Sequence, residues 1–419
     1  MNEERIFLFK IVEIIMRNEY FFPDFFITPQ NKMKKMEVTI QTKTPLWTGD
    51  AKRESKILRE TSIIGSLRWW YEGLIRGLGG YACSPTAQEK NPCKFDTSKY
   101  QKDKTQLDSL LLKLCPACLL FGCTGWSRKF KLVLSSDFCK SSTDILTRKN
   151  NHNRPIGGLH NIKDQTIKLN LTGLKSIDDV ECFLLSKTFE LLKKYGALGA
   201  RTSQGNGVFI IKENSFKNIP SATQEIKEFI TNQKPREDSK NNLQHFNLKN
   251  SLFSEYTITF TEDISSLITK HTFFDKKYDD KLDIYKCQTQ KWENIWTEFE
   301  YLPIAPLIRD AIRRCIANTT KRHKVFGYVQ GGDIQSSLVK ISHGIKVTDT
   351  DTSVIVRCHF MNGTSKKTEI KKAIMNKTEI EKSLKCINSK TSGFVSGIEE
   401  TQTHNGSEII ENIKIGKDI

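Results

Sequence analysis

Regular alternation of apolar and polar positions begins at Met36, and Glu37–Thr44 (Glu-Val-Thr-Ile-Gln-Thr-Lys-Thr) reads as a strand that Pro45 ends. Leu46–Glu60 is polar and basic. Ile63, Ile64, Leu67, Trp70, Leu74 and Leu78 then recur near a 3.6-residue period and predict a helix over 63–78, capped by Thr61 or Ser62. A cysteine-bearing segment over 79–114 interrupts the pattern. Past Cys115-Pro-Ala-Cys118, Lys129–Ser135 and Thr166–Thr172 alternate as a second and a third strand, with a polar loop between them that carries His152, Arg154 and His160. Ser176 with Asp179 has the form of a capping box and opens a helix over 177–195. That helix runs into Gly196-Ala-Leu-Gly-Ala-Arg-Thr-Ser-Gln-Gly-Asn-Gly207, and Val208–Ile211 is the fourth strand.

The order β-α-β-β-α-β is that of a ferredoxin-like, split βαβ unit. Residues 213–250 are polar, with one short amphipathic piece at Gln224–Ile230. The pattern then restarts, with strands at Glu255–Phe260, Gln335–Ile341 and Val354–His359 and helices at Leu302–Ile316 and Thr368–Lys385. The halves also echo one another: Ile63-Ile64-Gly65-Ser66-Leu67-Arg68 resembles Pro303-Ile304-Ala305-Pro306-Leu307-Ile308-Arg309, and Leu120-Phe121-Gly122 resembles Val325-Phe326-Gly327. The expected class is therefore α+β, with tandem ferredoxin-like domains over 36–213 and 251–400 and a cysteine-bearing insertion in the first. A linker covers 214–250, a polar tail 401–419 and an N-terminal appendage 1–35. Within the appendage, Lys10 and Glu13 interrupt the apolar bias of Ile6–Met16 and no small-residue cleavage site follows, which argues against a signal peptide. A translation start at Met33 or Met36 is the alternative origin of that stretch.

Charge adds a partner to this picture. The chain of 419 residues carries 65 basic and 48 acidic side chains, a net +17, which suits a polyanion. No run is apolar enough over a sufficient length to span a bilayer, so no membrane partner is expected. Eleven cysteines spread over the chain, one pair spaced Cys-x-x-Cys, fit metal binding in a reducing, cytoplasmic compartment better than a secreted disulfide framework. Cys83, Cys93, Cys115 and Cys118 are the candidate ligands of a structural zinc, with Cys123 or a histidine as substitutes for either of the first two.

The glycine loop is the first candidate for RNA contact. Gly199 and Gly205 admit close backbone approach, and Arg201, Thr202, Ser203 and Gln204 offer donors to a phosphate path. Gly65, Ser66 and Arg68, read as a helix start, supply free amides and a cation. Trp69 is a stacking candidate or a core residue, and Lys52, Arg53 and Arg59 form a basic arm or a solvated charge run.

Taken together, Thr44-Pro45-Leu46-Trp47-Thr48-Gly49-Asp50, Ser66-Leu67-Arg68-Trp69-Trp70, Cys115-Pro-Ala-Cys118-Leu-Leu-Phe-Gly122, Gly125-Trp126 and Gly199-Ala-Arg201…Gly205-Asn-Gly207 resemble the RAMP proteins of CRISPR systems. The set is most similar to the subunit-one family of the type III-B Cmr effector complex. The resemblance is dense from Glu37 to Ile211, thinner from Glu255 to Phe360, and absent before Met36. It implies a non-catalytic subunit of tandem ferredoxin-like folds. Such a subunit contacts the 3′ part of the CRISPR RNA, helps capture target RNA and partners the other Cmr subunits. The competing enzyme reading is a metal-independent endoribonuclease, with His152 or His160 as general base and Asp50 as a further candidate. An architectural scaffold without RNA contact is a third reading, and it leaves the charge of +17 without a use.

Overall fold

The protein, described here by a computed structural model, is α+β with antiparallel sheets. The described residues are 34–50, 54–83, 92–135, 138–146, 153–161, 165–216, 223–231, 245–270, 292–330, 333–348, 350–361, 367–384, 393–415 and 419. Residues 1–33 of the expected appendage lie outside them, as do Lys52, Arg53 and His152.

In the first half the elements that matter are β1 (Lys35–Thr42), α1 (Glu60–Gly77), β2 (Phe130–Ser135), β3 (Phe138–Leu146), β4 (Asn153–Asn161), β5 (Ile167–Gly173), α2 (Asp179–Tyr195) and β6 (Phe209–Asn214). The sheet order is β2-β5-β1-β6, antiparallel at every step. Alternation puts Val38 and Ile40 on the same buried face as Ile167, Leu169 and Leu171, where α1 and α2 cover them. The stripe Ile63, Leu67, Trp70, Leu74 of α1 is buried there as its period requires.

The second half contains β7 (Leu252–Phe260), α3 (Ala305–Cys315), β8 (Val339–Ile341), β9 (Gly344–Lys346), β10 (Ser353–Phe360), β11 (Val395–Asn405) and α4 (Gly406–Lys414). Its sheet runs β11-β7-β10-β9, with β8 also pairing β10. A second core of Tyr256, Ile258, Ile308, Ile312, Val354 and Val356 lies beneath it.

Several expectations are corrected. The polar loop before β5 is instead the hairpin β3–β4, and Leu46 exchanges backbone hydrogen bonds with Leu159 of β4, both 2.8 Å. Gly158 permits this, because a Cβ there would lie 2.3 Å from the Leu46 carbonyl oxygen. The helix expected over 368–385 is two helices, Lys367–Ile374 and Lys377–Leu384. The strand expected at 335–341 is broken, with Asp333–Gln335 in a separate hairpin. The polar tail is no tail. β11 extends to Asn405, and α4 buries Ile409, Ile410 and Ile413 in the first core, beside Gly77. Its three isoleucines at i, i+1 and i+4 form one apolar stripe on an otherwise charged helix.

The capping box of α2 also moves. Asp178 accepts from the Glu181 amide at 2.7 Å, and the Glu181 carboxylate accepts from the Asp178 amide at 3.2 Å. Asp178→Ala is expected to cost about 1 kcal/mol, the usual worth of an N-cap carboxylate. A urea titration with an unchanged slope reads this out.

Candidate nucleic-acid interface and cysteine cluster

α1 begins at Glu60, one turn earlier than the sequence suggests, so Gly65, Ser66 and Arg68 sit inside the helix and their amides belong to its ladder. What these positions offer is a face. Ser62, Gly65, Ser66 and Trp69 follow one another at helical spacing and present small groups beside an indole. The glycine loop packs across this face. The Ser66 hydroxyl oxygen accepts from the Gly199 amide at 2.8 Å, which ties loop to helix. Between them lies a cleft of about 350 Å³ lined by Ser62, Gly65, Ser66, Trp69, Gly199, Thr202 and, from the second half, Lys340 among others.

Most amides of the glycine loop are engaged. Leu198 bonds to Gly207 at 2.9 Å, Ala200 to Trp47 at 2.7 Å, Gly207 to Pro45 at 2.8 Å and Val208 to the Thr44 hydroxyl at 2.9 Å. The loop is thus a knot on the Thr44–Trp47 segment. A Cβ at Gly199, where φ is +79°, would stand 2.5 Å from the Trp47 carbonyl oxygen. Gly205 is pressed against Ala305 and His343 of the second half, and so faces that half instead of a ligand. The amides of Arg201, Thr202 and Ser203 have no hydrogen-bond partner among the described residues. Arg201 is left-handed, with φ +58° and ψ +23°, and Thr202–Gln204 form a 3-10 turn after it. Left-handed and right-handed residues in succession make a concavity that suits an anion.

The other sequence candidates separate. The Arg201 guanidinium stacks on Trp47, 3.4 Å from the ring centre, and stays half-exposed beside the loop. Ser203 is half-exposed and Gln204 exposed on the turn itself. Trp69 has no free face, since Phe246 stacks on one side (3.9 Å, 6°) and the Lys340 ammonium covers the other at 3.8 Å. Trp69 lines the cleft with its ring covered, which corrects the stacking role. Arg59 pairs with Asp50 at 3.5 Å.

Arg68 turns inward and away from the cleft. It donates to Glu72 at 2.8 Å, to the Gly122 carbonyl at 2.7 Å and to the Cys118 sulfur at 3.2 Å. Its charge therefore serves the cysteines, a correction to the phosphate role. Cys83, Cys93, Cys115 and Cys118 are all buried, and their sulfurs all lie within 4.8 Å of one another. Cys83 Sγ is 3.2 Å from Cys118 Sγ and 3.8 Å from Cys115 Sγ. Four thiolates on one zinc at 2.3 Å are about 3.8 Å apart, so this cluster could hold a metal ion such as zinc. The amides of Cys118 and Cys115 donate to the sulfurs of Cys115 and Cys93, each at 3.4 Å. Hydrogen bonds from the Cys115 and Cys118 thiols push the Cys83 thiol pKa down, favouring a thiolate. Cys123 bonds to its neighbour's carbonyl and is not needed to complete the set.

His160 is buried against Phe299 and Tyr301, with Nδ1 3.0 Å from the Thr42 hydroxyl. Burial, with His343 nearby, lowers its pKa to about 3. It is a neutral packing residue with no path to an RNA strand. The charged contributor to the cleft that the sequence reading missed is Lys340. It stands on a three-residue strand more than 130 positions from the glycine loop, and nothing local distinguishes it from other lysines.

No curated protein matches the chain. Among solved structures it is similar to a chain of the type III-B Cmr-beta complex bound to cognate target RNA and AMPPnP, in state 2 and in the presence of ssDNA. The identity is 11%, the TM-score 0.39, and the coverage 84% of this chain and 100% of that one. It is also similar to Cmr1 from Pyrococcus furiosus in its apo form, at 12% identity and a TM-score of 0.35, over 91% of this chain and 97% of that one. The family model described as the RAMP superfamily matches residues 39–302, which take in β1, the face of α1, the cysteine cluster and the glycine loop, and the chain belongs to the RAMP superfamily.

Proposed function

We propose that this protein is a non-catalytic RNA-binding subunit of a type III-B CRISPR RNA-guided effector complex, contacting the 3′ region of the CRISPR RNA and helping to capture target RNA. One observation carries the reading. In a chain of this superfamily, the small-residue face of α1 and the glycine loop converge on one cleft that keeps amides and an ammonium with no hydrogen-bond or carboxylate partner among the described residues. Small groups and backbone donors hold a ribose-phosphate path without reading bases. The partners are the CRISPR RNA, target RNA and the other Cmr subunits. The burial of His160 and the Asp50–Arg59 pair favour binding over the endoribonuclease alternative.

The first sheet has its first and third strands, β1 and β5, at the centre and its second and fourth, β2 and β6, outside, and the second has β7 and β10 at the centre between β11 and β9. This supports two ferredoxin-like units, one over 36–213 and one from 251 that β11 extends to Asn405. The four-cysteine cluster is proposed as a structural zinc site that fixes the segment between α1 and β2.

Labelled single-stranded RNA without added metal tests the reading. Retarded, intact RNA that is released as salt rises supports it, shortened RNA moves the assignment to a nuclease, and RNA that is never retarded, alone or with partner subunits, removes it. Arg201→Ala is expected to weaken binding to all sequences alike and to lower the slope of log affinity against log salt by about 0.7, one phosphate's share on a single strand.

A further inference from the structure

Lys340 belongs to the second half, yet its ammonium completes a cleft built by the first. No carboxylate pairs with it among the described residues, and its contact is the face of Trp69 at 3.8 Å. Among the described residues the surroundings offer it no unpaired anion. α1 and the glycine loop line the cleft with hydroxyl, methyl and indole groups. From β10, Arg357 is paired with Glu255 at 3.3 Å, and His359, the residue opposite Lys340 in the sheet, is held neutral by burial and by Lys340 itself. Arg201 is occupied by Trp47. A half-buried ammonium whose one partner among the described residues is a ring is costly, and an anion entering the cleft lowers that cost.

We propose that Lys340 is the phosphate-binding residue inside the cleft, taking one backbone phosphate of an RNA strand, so that within the cleft the second half supplies the charge and the first half the donors, while Arg201 meets a neighbouring phosphate outside the cleft lining. This rests on the RNA-binding reading above. It makes the site composite, with Gly205 packed on Ala305 and His343 to hold the two sides together. It also links binding to protons. Burial lowers the Lys340 pKa to about 8, and a bound phosphate restores the charged form. Below pH 7 the ammonium is already present. Above pH 8 it must be regained on binding, so affinity falls as pH rises. From pH 7 to pH 9 the expected loss is about tenfold.

The test uses the full chain, a fluorescein-labelled single-stranded RNA and anisotropy at pH 7 and pH 9 over a range of salt. Wild type is expected to lose about tenfold in affinity between the two pH values. Lys340→Arg, which stays charged, is expected to bind equally at both. Lys340→Ala is expected to bind weakly at both, with a salt slope smaller by about 0.7. If Lys340→Ala does not fold, the flat profile expected of Lys340→Arg still decides the matter. Wild-type affinity, salt slope and pH profile in both variants would overturn the proposal and leave RNA binding intact. No binding by wild type at any pH, alone or with partner subunits, would overturn both.

Discussion

Replacing Cys115 and Cys118 by serine is expected to remove bound zinc and to unfold the first half at a much lower temperature. The two residues form a knuckle at the start of the helix Pro116–Phe121, which packs Leu120 and Phe121 into the core beside Tyr71. The knuckle is also where α1 is anchored. Arg68 binds the Cys118 sulfur and the Gly122 carbonyl, and Arg76 binds the carbonyls of Ala82 and Cys83 at 2.7 and 3.2 Å. With a metal in place, the cluster closes the segment between Cys83 and Cys118 on itself and fixes its geometry. Serine keeps the size but is a poor zinc ligand, and it leaves Arg68 facing a neutral hydroxyl. The loss is expected to exceed about 4 kcal/mol, in the range reached when a bound metal is removed. Elemental analysis and thermal melts of both proteins read the result, and a strong chelator should lower the wild-type melting temperature as well. Metal-free wild type whose melting ignores the chelator would leave the four thiols as ordinary packing.

Gly65→Leu is expected to weaken RNA binding at least about tenfold while leaving stability intact or improved. Gly65 is exposed, helical, and has no atom within 4 Å of where a Cβ would stand. A side chain there meets no strain, and leucine is a far better helix former than glycine, worth about 0.5–1 kcal/mol in an exposed helix interior. The same side chain projects into the cleft, whose floor at this point is the bare backbone of α1. A loss in affinity of at least about tenfold, or 1.4 kcal/mol, is expected from filling it. This variant separates folding from binding, which substitutions in the glycine loop cannot do. At Gly199 or Gly207 a Cβ would strike backbone, 2.5 Å from the Trp47 oxygen or 2.1 Å from the Leu198 oxygen, so lost binding there would follow from lost structure. Wild-type RNA affinity in a well-folded Gly65→Leu protein would place the RNA elsewhere.

Periodicity placed β1, α1, β2, β5, α2, β6 and β7 to within a few residues, because each has one apolar face that alternates or repeats over its whole length. It failed at β3–β4 for a definable reason. Pro155, Gly157 and Gly158 read as breakers, and they are tolerated because β4 lies against Leu46 and Asn206, whose side-chain amide donates to the Gly157 carbonyl at 2.8 Å. It failed again at α4, whose isoleucines are too few to announce a helix until the first core receives them.

The sequence by itself determined the chemistry available to this protein: the glycines that allow a tight loop, the small residues at helical spacing on α1, the four cysteines and the basic balance. Each is a property of residue type and local spacing, which the chain carries before it folds. Tertiary structure alone decided how that chemistry was shared out. It turned Arg68 from the solvent to the cysteines, closed both faces of Trp69, buried His160, and brought Lys340 to a cleft on the other half. Those outcomes depend on which surfaces meet across long separations, and a buried charge or ring takes whatever partner the packing brings within reach.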